Sequence, residues 1–160
     1  MDFEGQHLTN TEEYEEELRS SLVCGNNAAL KKAISAALEQ LKYNSEYAEN
    51  PEDAFEKIKY NQYGLIILDE VFGGTSLENN GVYKYLLTMP MAVRRNIFIA
   101  LMGKDFKTAD NMTAFAKSVN LVLNERDISN LKPLLKKAIP DNDQFYKVFL
   151  ESIKKTGNRQ

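Results

Sequence analysis

Residues 63–69 read Tyr-Gly-Leu-Ile-Ile-Leu-Asp, a short apolar run that ends on one carboxylate, Asp69. Four consecutive apolar residues, two of them β-branched, are typical of a strand that is buried on both faces, as in a parallel sheet. In open sheets of this kind the binding crevice lies at the carboxyl ends of the strands. The sequence therefore predicts that Asp69 stands at the binding edge of a parallel sheet.

Strand and helix patterns alternate on both sides of this run. Strands are predicted at 20–24, 45–48, 64–69, 96–102 and 119–123. A helical pattern of apolar residues follows each strand, with start signals such as Asn50-Pro51 ahead of the second helix. Five such units indicate an α/β fold, a five-stranded parallel sheet with helices on both faces. Right-handed crossovers then bring all five strand ends to one edge.

Charge and composition divide the chain into three segments. These are an acidic leader over residues 1–19, an α/β domain over 20–139, and an additional C-terminal helix and tail over 140–160. Residues 1–20 hold seven of the 23 acidic residues but one of the 20 basic residues. Such a head is more typical of a solvated leader than of a ligand site. The remainder is only weakly basic, so no nucleic acid partner is expected.

The single cysteine, Cys24, excludes an intrachain disulfide and a multi-cysteine zinc cluster. Cys24 ends a predicted buried strand, and the one histidine, His7, lies in the leader. Packing in the core is therefore favoured over a role as nucleophile. No apolar run reaches the length of a membrane span, and the N-terminus lacks the apolar region of a secretory signal. We expect a cytoplasmic protein without membrane contact.

The ordered elements resemble a response-regulator receiver domain, the flavodoxin-like (βα)5 module of two-component signalling and phosphorelays. Two stretches carry the resemblance: Tyr-Ala-Glu-Asn-Pro-Glu-Asp-Ala-Phe-Glu-Lys-Ile at 47–58, and Tyr-Gly-Leu-Ile-Ile-Leu-Asp-Glu at 63–70. It covers about residues 20–139. In this register Asp69 corresponds to the residue that accepts the phosphoryl group.

The resemblance also implies that the metal site is incomplete. Phosphoryl transfer onto a carboxylate requires Mg²⁺, which prefers hard oxygen ligands. Receivers supply an acidic pair after the first strand, the acceptor Asp, and a backbone carbonyl two residues further on. Here the acidic pair falls on Gly25 and Asn26, whereas Val71 keeps a carbonyl. We therefore expect no resident cofactor, and Mg²⁺ only if Asp69 is an active phosphoacceptor.

The other positions of the family's site are altered too. The hydroxyl residue after the fourth strand corresponds to Met102, a side chain that cannot donate a hydrogen bond. The lysine after the fifth strand corresponds to Asn124 and the following proline to Glu125, while Gly103 keeps the small residue that leaves room for an acyl phosphate. We therefore predict a degenerate, pseudo-receiver pocket. It comprises Gly25, Asn26, Val71, Met102, Gly103 and Asn124 around Asp69.

Two further expectations concern the surroundings of Asp69. A buried carboxylate needs hydrogen bonds, and Asn26, Asn124 or nearby amides are the candidate donors. Glu70 is expected to point away along the strand. After it, Gly73-Gly74 and the insertion 75–80 lengthen the loop and can rebuild the surface above the pocket.

The resulting hypothesis is a receiver-like signalling module that acts through protein–protein contacts, independently of phosphorylation and not as an enzyme. By resemblance, the contact surface would be formed by 112–117, 119–124 and 129–137, for a protein partner or for self-association. Its candidate residues are Met112, Phe115, Leu121, Lys132, Lys136 and Lys137.

Three alternatives stand beside this hypothesis. In the first, a histidine kinase phosphorylates Asp69, as in an active receiver. In the second, the vacated crevice at the strand ends binds a small molecule or nucleotide. The third, an ATPase Walker B strand at 65–70, is disfavoured because the only Gly-Lys pair, Gly103-Lys104, follows the strand and lies in no phosphate-binding motif. The apolar stripe Phe145, Phe149 and Ile153 packs back on the domain or binds a partner.

Overall fold

The computed structural model describes residues 19–157, apart from the side chains of 146, 149, 150 and 153–157. Five strands and six α-helices alternate along this part of the chain. They are β1 (Ser20–Cys24), α1 (Ala28–Gln40), β2 (Asn44–Ala48), α2 (Pro51–Tyr60), β3 (Leu65–Asp69), α3 (Gly81–Thr88), α4 (Met91–Arg94), β4 (Phe98–Gly103), α5 (Asn111–Ala116), β5 (Leu121–Asn124) and α6 (Leu131–Gly157). Two 3₁₀ helices, Leu77–Asn79 and Glu125–Asn130, precede α3 and α6.

The strands form one parallel sheet in the order β2-β1-β3-β4-β5. This arrangement confirms the predicted fold class, and each predicted strand overlaps the observed one. β3 lies at the centre, so Asp69 ends the middle strand of the sheet. The crossovers bring the carboxyl ends of all five strands to one edge, as expected for right-handed connections.

Apolar side chains of alternate residues fill a core on each face of the sheet. On one face, Ile66 and Leu68 pack with Ala54 of α2 and Val82 of α3. On the other face, strand residues such as Ile67 pack with side chains of α1 and α6. These helix residues are Ile34, Leu38, Leu131 and Leu135. Burial on both faces explains why β3 reads as a continuous apolar run.

Capping residues fix the starts of several helices at the predicted positions. The Asn27 side chain accepts hydrogen bonds from the backbone N–H groups of residues 29 and 30 at the start of α1. Asn50 accepts from Asp53 N–H at 2.8 Å ahead of α2, which has Pro51 in its first turn. Asp110 likewise caps α5. Each cap satisfies N–H groups that have no partner within the helix.

The C-terminal part differs from the prediction in one respect. The fifth receiver-like helix and the additional C-terminal helix are a single helix, α6, with Pro140 in its interior. Proline is a strong helix terminator in sequence analysis, because it lacks the N–H that would bond to the carbonyl four residues earlier. Within the described residues, no helix is both long and apolar enough to cross a membrane.

The acidic leader lies outside the described residues except for Arg19, and so do the side chains of Phe149 and Ile153 in the predicted apolar stripe. Its first member, Phe145, is 65% exposed. The packing of the stripe stays a prediction.

Candidate functional site

Asp69 lies at the carboxyl end of β3 and is buried. Its Oδ1 atom accepts a hydrogen bond from the backbone N–H of Val71 at 3.0 Å. A nearby amide therefore satisfies the carboxylate, which was one of the predicted possibilities. The other two donors are not used: among the described residues, neither Asn26 nor Asn124 donates to Asp69.

The space next to Asp69 is almost completely filled. Met102 pairs with Asp69 in the register of β3 and β4 and is buried beside it. The cavity between them has a volume of about 10 Å³, with Gly25, Lys31 and Asn27 also in its wall. One buried water requires at least about 10–15 Å³. This cavity is therefore too small for a small molecule or nucleotide.

Glu70 directly follows Asp69 and extends from the end of β3 over the end of β4. Its carboxyl group lies over Gly103, where a Cβ atom would come within 2.5 Å of the Glu70 Cδ and 2.8 Å of the Phe106 ring. The small residue at 103 therefore accommodates Glu70 and Phe106, and the space above it is occupied by side chains of the protein itself.

The surroundings of Glu70 make its charge unfavourable. Burial raises the pKa of the Glu70 carboxyl, and the carboxylates of Asp105, Asp69 and Glu125 raise it further. The backbone N–H of Lys104 acts in the opposite direction. The edge of the sheet therefore carries several acids close together, which is unfavourable for accepting a phosphoryl dianion unless a cation neutralises them.

Asn124 stabilises the loop that follows β4. Its Nδ2 group donates to the carbonyls of Lys104 at 2.9 Å and Phe106 at 2.8 Å, while Oδ1 accepts from Arg126 N–H at 3.0 Å. The backbone N–H of Asn124 donates to Thr108 Oγ1. The residue at the lysine position of receivers thus has a structural role here, and its side-chain amide is fully engaged.

Sequence analysis missed Asn80 as a residue of the site. Asn80 is completely buried, and its Nδ2 group donates to the carbonyls of Asp69 and Glu70, both at 3.0 Å. Its Oδ1 accepts from Tyr83 N–H and so caps α3. The available signal was an asparagine immediately before a helix, which is the preferred N-cap type. The sequence contained no indication that the same side chain reaches back to β3.

Lys31, from the first turn of α1, is a second residue that sequence analysis did not single out. It is a cation in the wall of the Asp69 cavity, but on a different element from the family's lysine. No ion pair within 4 Å joins it to a carboxylate of the described residues.

The donor set at this edge does not fit Mg²⁺. Of the three positions that the resemblance assigns to metal-binding acids, Asp69 alone carries a carboxylate, since Gly25 and Asn26 have none. The carbonyl of Val71 accepts a hydrogen bond from Gly74 N–H at 3.1 Å. Within the described residues, no three His, Cys, Asp or Glu side chains are arranged to hold a metal ion. Mg²⁺ needs near-octahedral oxygen coordination, which these groups do not provide.

Cys24 is buried at the end of β1, in agreement with the expected role in the core. Burial raises the pKa of its thiol to about 12, with a smaller contribution from the Asp53 carboxylate. The thiolate, which is the nucleophilic form, is therefore disfavoured at neutral pH.

The predicted interaction surface is only partly exposed. Phe115 and Met112 of α5 are 83% and 77% exposed, and Lys136 and Lys137 of α6 are exposed as well. Leu121 is 5% exposed and packs in the core beneath α6, so its assignment to the surface is wrong. Helices cover both faces of this sheet, so the side chains of β5 are buried whichever face they point to.

Comparison with solved structures identifies the fold. The receiver domain (CheY-like) from Methylobacillus flagellatus matches 74% of this chain and 97% of its own, with a TM-score of 0.56 and 19% identity. The signal receiver domain of a putative Luxo repressor protein from Vibrio parahaemolyticus matches 81% and 95%, with a TM-score of 0.61 and 15% identity.

A third match is the RcsB response regulator from Salmonella typhimurium, which is described in connection with DNA interaction. It covers 76% of this chain and 59% of its own, with a TM-score of 0.58 and 12% identity. The absence of a nucleic acid partner for this chain therefore stays a prediction. No family model and no curated protein matches the sequence. At these identities the similarity is one of architecture, and the chain has the fold of a response-regulator receiver domain.

Proposed function

We propose that this chain is a receiver-like signalling module that acts through protein–protein contacts and is independent of phosphorylation at Asp69. The observation that carries the proposal is the filled space around Asp69, with a remaining volume of about 10 Å³. A phosphoryl group with its metal ion needs far more room than the single water for which about 10–15 Å³ suffices. Met102 is buried beside Asp69, and the Glu70 carboxyl lies over Gly103.

The chemistry of the remaining side chains supports the same proposal. The buried thioether of Met102 cannot donate to a phosphoryl oxygen, and the amide of Asn124 already bonds to two carbonyls. The acids near Glu70 would repel added negative charge. In this proposal Asp69 has a structural role, as a hydrogen-bonded residue where β3 joins the following loop.

A titration with beryllium fluoride, which mimics a phosphoryl group on carboxylates, tests this proposal. We expect the amide signals of Asp69 and Met102 to remain unchanged with beryllium fluoride in millimolar Mg²⁺. Acetyl phosphate should add no phosphoryl mass to the protein. A known active receiver, treated in parallel, is the positive control. Saturable shifts at residues 69 and 102, or a phosphorylated Asp69, would support the alternative of an active phosphoacceptor and contradict this proposal.

The exposed residues Met112 and Phe115 of α5 are the main candidates for the contact itself, with Lys136 and Lys137 as its charged part. Met112 and Phe115 are three residues apart on one helix, so they are neighbours on its surface, and exposed apolar neighbours of this kind can mark an interaction site. We expect Phe115→Lys to weaken self-association or capture of a protein partner without loss of stability. Leu87→Lys, at an apolar residue of α3 that is 46% exposed, is the matched control. Equal association of both variants and of a Lys136→Glu/Lys137→Glu variant would exclude this surface.

A further inference from the structure

A cavity of about 420 Å³ lies at the opposite edge of the sheet, where the strands begin. The C-terminal end of α2, the loop before β3 and the short helix α4 form its walls, with Tyr60, Tyr63, Gly64, Met89, Val93 and Ile97 among the lining residues. We call it the amino-edge groove. Its volume falls within the range of about 300–1,000 Å³ that is common for ligand pockets. Its volume is far larger than that of the cavity beside Asp69.

The rim of this groove is exposed and combines apolar with polar side chains. Tyr60 is 72% exposed and Val93 49%, and the polar residues Asn61 and Asn96 are exposed beside them. Buried apolar residues such as Ile66 and Ile97 form the floor of the groove. An apolar floor with exposed apolar side chains at its rim is typical of an interaction site.

The described part of the chain begins next to this groove. The carbonyl of Ser20, the first residue of β1, accepts a hydrogen bond from the N–H of Gly64 at 2.9 Å, and Gly64 lines the groove. Leu18 precedes Ser20 by two residues. Since an extended chain spans about 3.3 Å per residue, the eight residues from Glu12 to Ser20 reach up to about 26 Å. Residues 12–18 are therefore within reach of the groove without any rearrangement of the domain.

The charges of the N-terminal segment and of the groove are complementary. Residues 1–18 hold seven acidic residues and no lysine or arginine. The lining of the groove includes one charged residue, Lys59, and no carboxylate. Arg95 is a second cation, adjacent in sequence to the lining residue Asn96. Within residues 12–18, Tyr14 and Leu18 supply the apolar side chains that the groove requires, and five glutamates supply the opposite charge.

We propose that residues 12–18 of the chain's own N-terminal segment bind in the amino-edge groove, with Tyr14 and Leu18 as apolar anchors and Lys59 and Arg95 attracting the glutamates. The contact is intramolecular, so its effective concentration is high, and a modest intrinsic affinity suffices. It lies at the opposite edge of the sheet from Asp69.

Hydrogen exchange of the full-length protein tests this inference. We expect the amides of residues 12–18 to exchange at least about tenfold more slowly than in an unstructured peptide of the same sequence, because a bound segment exchanges only after it opens. Val93→Glu should bring their exchange back to the rate of the free peptide, and so should Lys59→Glu/Arg95→Glu. The control, Lys104→Glu/Lys107→Glu, makes the same charge change at the opposite edge and should preserve the protection.

Three results would overturn the inference. The first is exchange of residues 12–18 at the peptide rate in the unaltered protein. The second is protection that survives both groove variants, which would place the segment elsewhere. The third is protection that disappears on dilution together with a dimer, since a second copy would then be the occupant. All of the substituted side chains are exposed except that of Arg95, which is half-buried. If the Lys59→Glu/Arg95→Glu variant fails to fold, the Val93→Glu variant still tests the inference.

Discussion

Two buried asparagines, Asn80 and Asn124, secure the loops at the carboxyl edge of the sheet. Each uses its amide to bridge two backbone carbonyls, those of residues 69 and 70 for Asn80 and those of residues 104 and 106 for Asn124. A buried carbonyl without a hydrogen bond is costly, so these side chains contribute to stability out of proportion to their size. At Asn124 the sequence position that receivers use for a lysine serves this structural purpose.

Removing the Asn124 amide should therefore destabilise the protein. We expect Asn124→Ala to lower the free energy of unfolding by about 2–3 kcal/mol, because the carbonyls of Lys104 and Phe106 lose their donor. Asn26→Ala, at an exposed position in the same predicted pocket, should change it by less than about 0.5 kcal/mol. Urea denaturation measures both. Equal effects of the two substitutions would refute the role assigned to Asn124.

Glu70 gives the site a pH dependence of known sign. Its pKa in the folded protein is raised above the ordinary value of 4.5, so the folded state binds the proton more tightly than the unfolded state does. Stability due to this group is then present at low pH and is lost as the pH rises from about 4.5 through the folded pKa. Glu70→Gln should stabilise the protein at neutral pH, and its advantage over the wild type should shrink towards pH 4.

Parallel unfolding curves between pH 4 and 8 check this expectation. Glu78→Gln, at an exposed residue of the 3₁₀ helix before α3, controls for the change in net charge. A Glu70→Gln variant that is less stable at pH 7 would show that the carboxylate is favourable where it lies.

At the scale of elements, the turn after β3 depends on Gly73. Its φ of 69° lies in the left-handed region, and an added Cβ atom would collide with the Pro51 ring at the start of α2. The β3 loop thus packs against the first turn of α2 through a contact that only glycine permits. We expect Gly73→Ala to destabilise the protein by about 2 kcal/mol, from backbone strain and the clash.

Gly25→Ala is the matched control for this prediction. An added Cβ at residue 25 lies 3.6 Å from the Asp69 Cβ, an ordinary contact, and the backbone there is not left-handed. Thermal unfolding should show a clearly larger loss at residue 73 than at residue 25. Tolerance of alanine at residue 73 would mean that the turn adopts another conformation.

The two prolines near α6 lie in different environments. Pro133 falls in the first turn, where no helical hydrogen bond is lost, whereas Pro140 interrupts the interior. Pro140→Ala should therefore slow hydrogen exchange across residues 141–157 and stabilise this part of the helix by up to about 3 kcal/mol. Pro133→Ala should have little effect on the same amides. Similar exchange in both variants would indicate that the helix beyond 140 does not depend on its backbone hydrogen bonds.

At the scale of the whole molecule, the incomplete set of Mg²⁺ ligands at the Asp69 edge, among the residues that the structure describes, predicts a stability that the ion does not affect. A ligand that binds only the folded state stabilises it by RT ln(1 + [L]/Kd), so the unfolding temperature rises with ligand concentration. We expect 10 mM Mg²⁺ to leave the Tm of the wild type unchanged relative to 10 mM Ca²⁺ or to matched ionic strength. A Gly25→Asp/Asn26→Asp variant, which restores the acidic pair, should acquire a Tm that rises with Mg²⁺. A rise in the wild type would contradict the assignment of the site.

The fold was predictable because its strongest signals are local. The apolar run of β3 and the capping asparagines at 27 and 50 depend on burial and on backbone N–H groups, which leave a periodic or positional pattern in the sequence. The extent of α6 was not predictable from the sequence. The tertiary contacts of Leu131 and Leu135 and the helix on both sides of Pro140 outweigh the local tendency of proline to end a helix.

The site was only partly predictable. The register correctly placed Asp69 beside Met102, but it gave no information on side-chain directions. Glu70 lies over Gly103, and Asn124 bonds away from Asp69, for reasons of packing and carbonyl satisfaction that involve residues far apart in sequence. Leu121 was assigned to a surface by analogy, although a strand of a doubly covered sheet buries both sets of its side chains.

The location of Asn80 has a consequence for the chemical ageing of the protein. Asn80 precedes Gly81, and such pairs deamidate readily when the glycine nitrogen can attack the side chain. Here the amide is buried and bonded to the carbonyls of residues 69 and 70, so cyclisation must await local opening. Deamidation adds one dalton to Asn80. Its rate on storage would then measure how often the structure opens locally between β3 and α3.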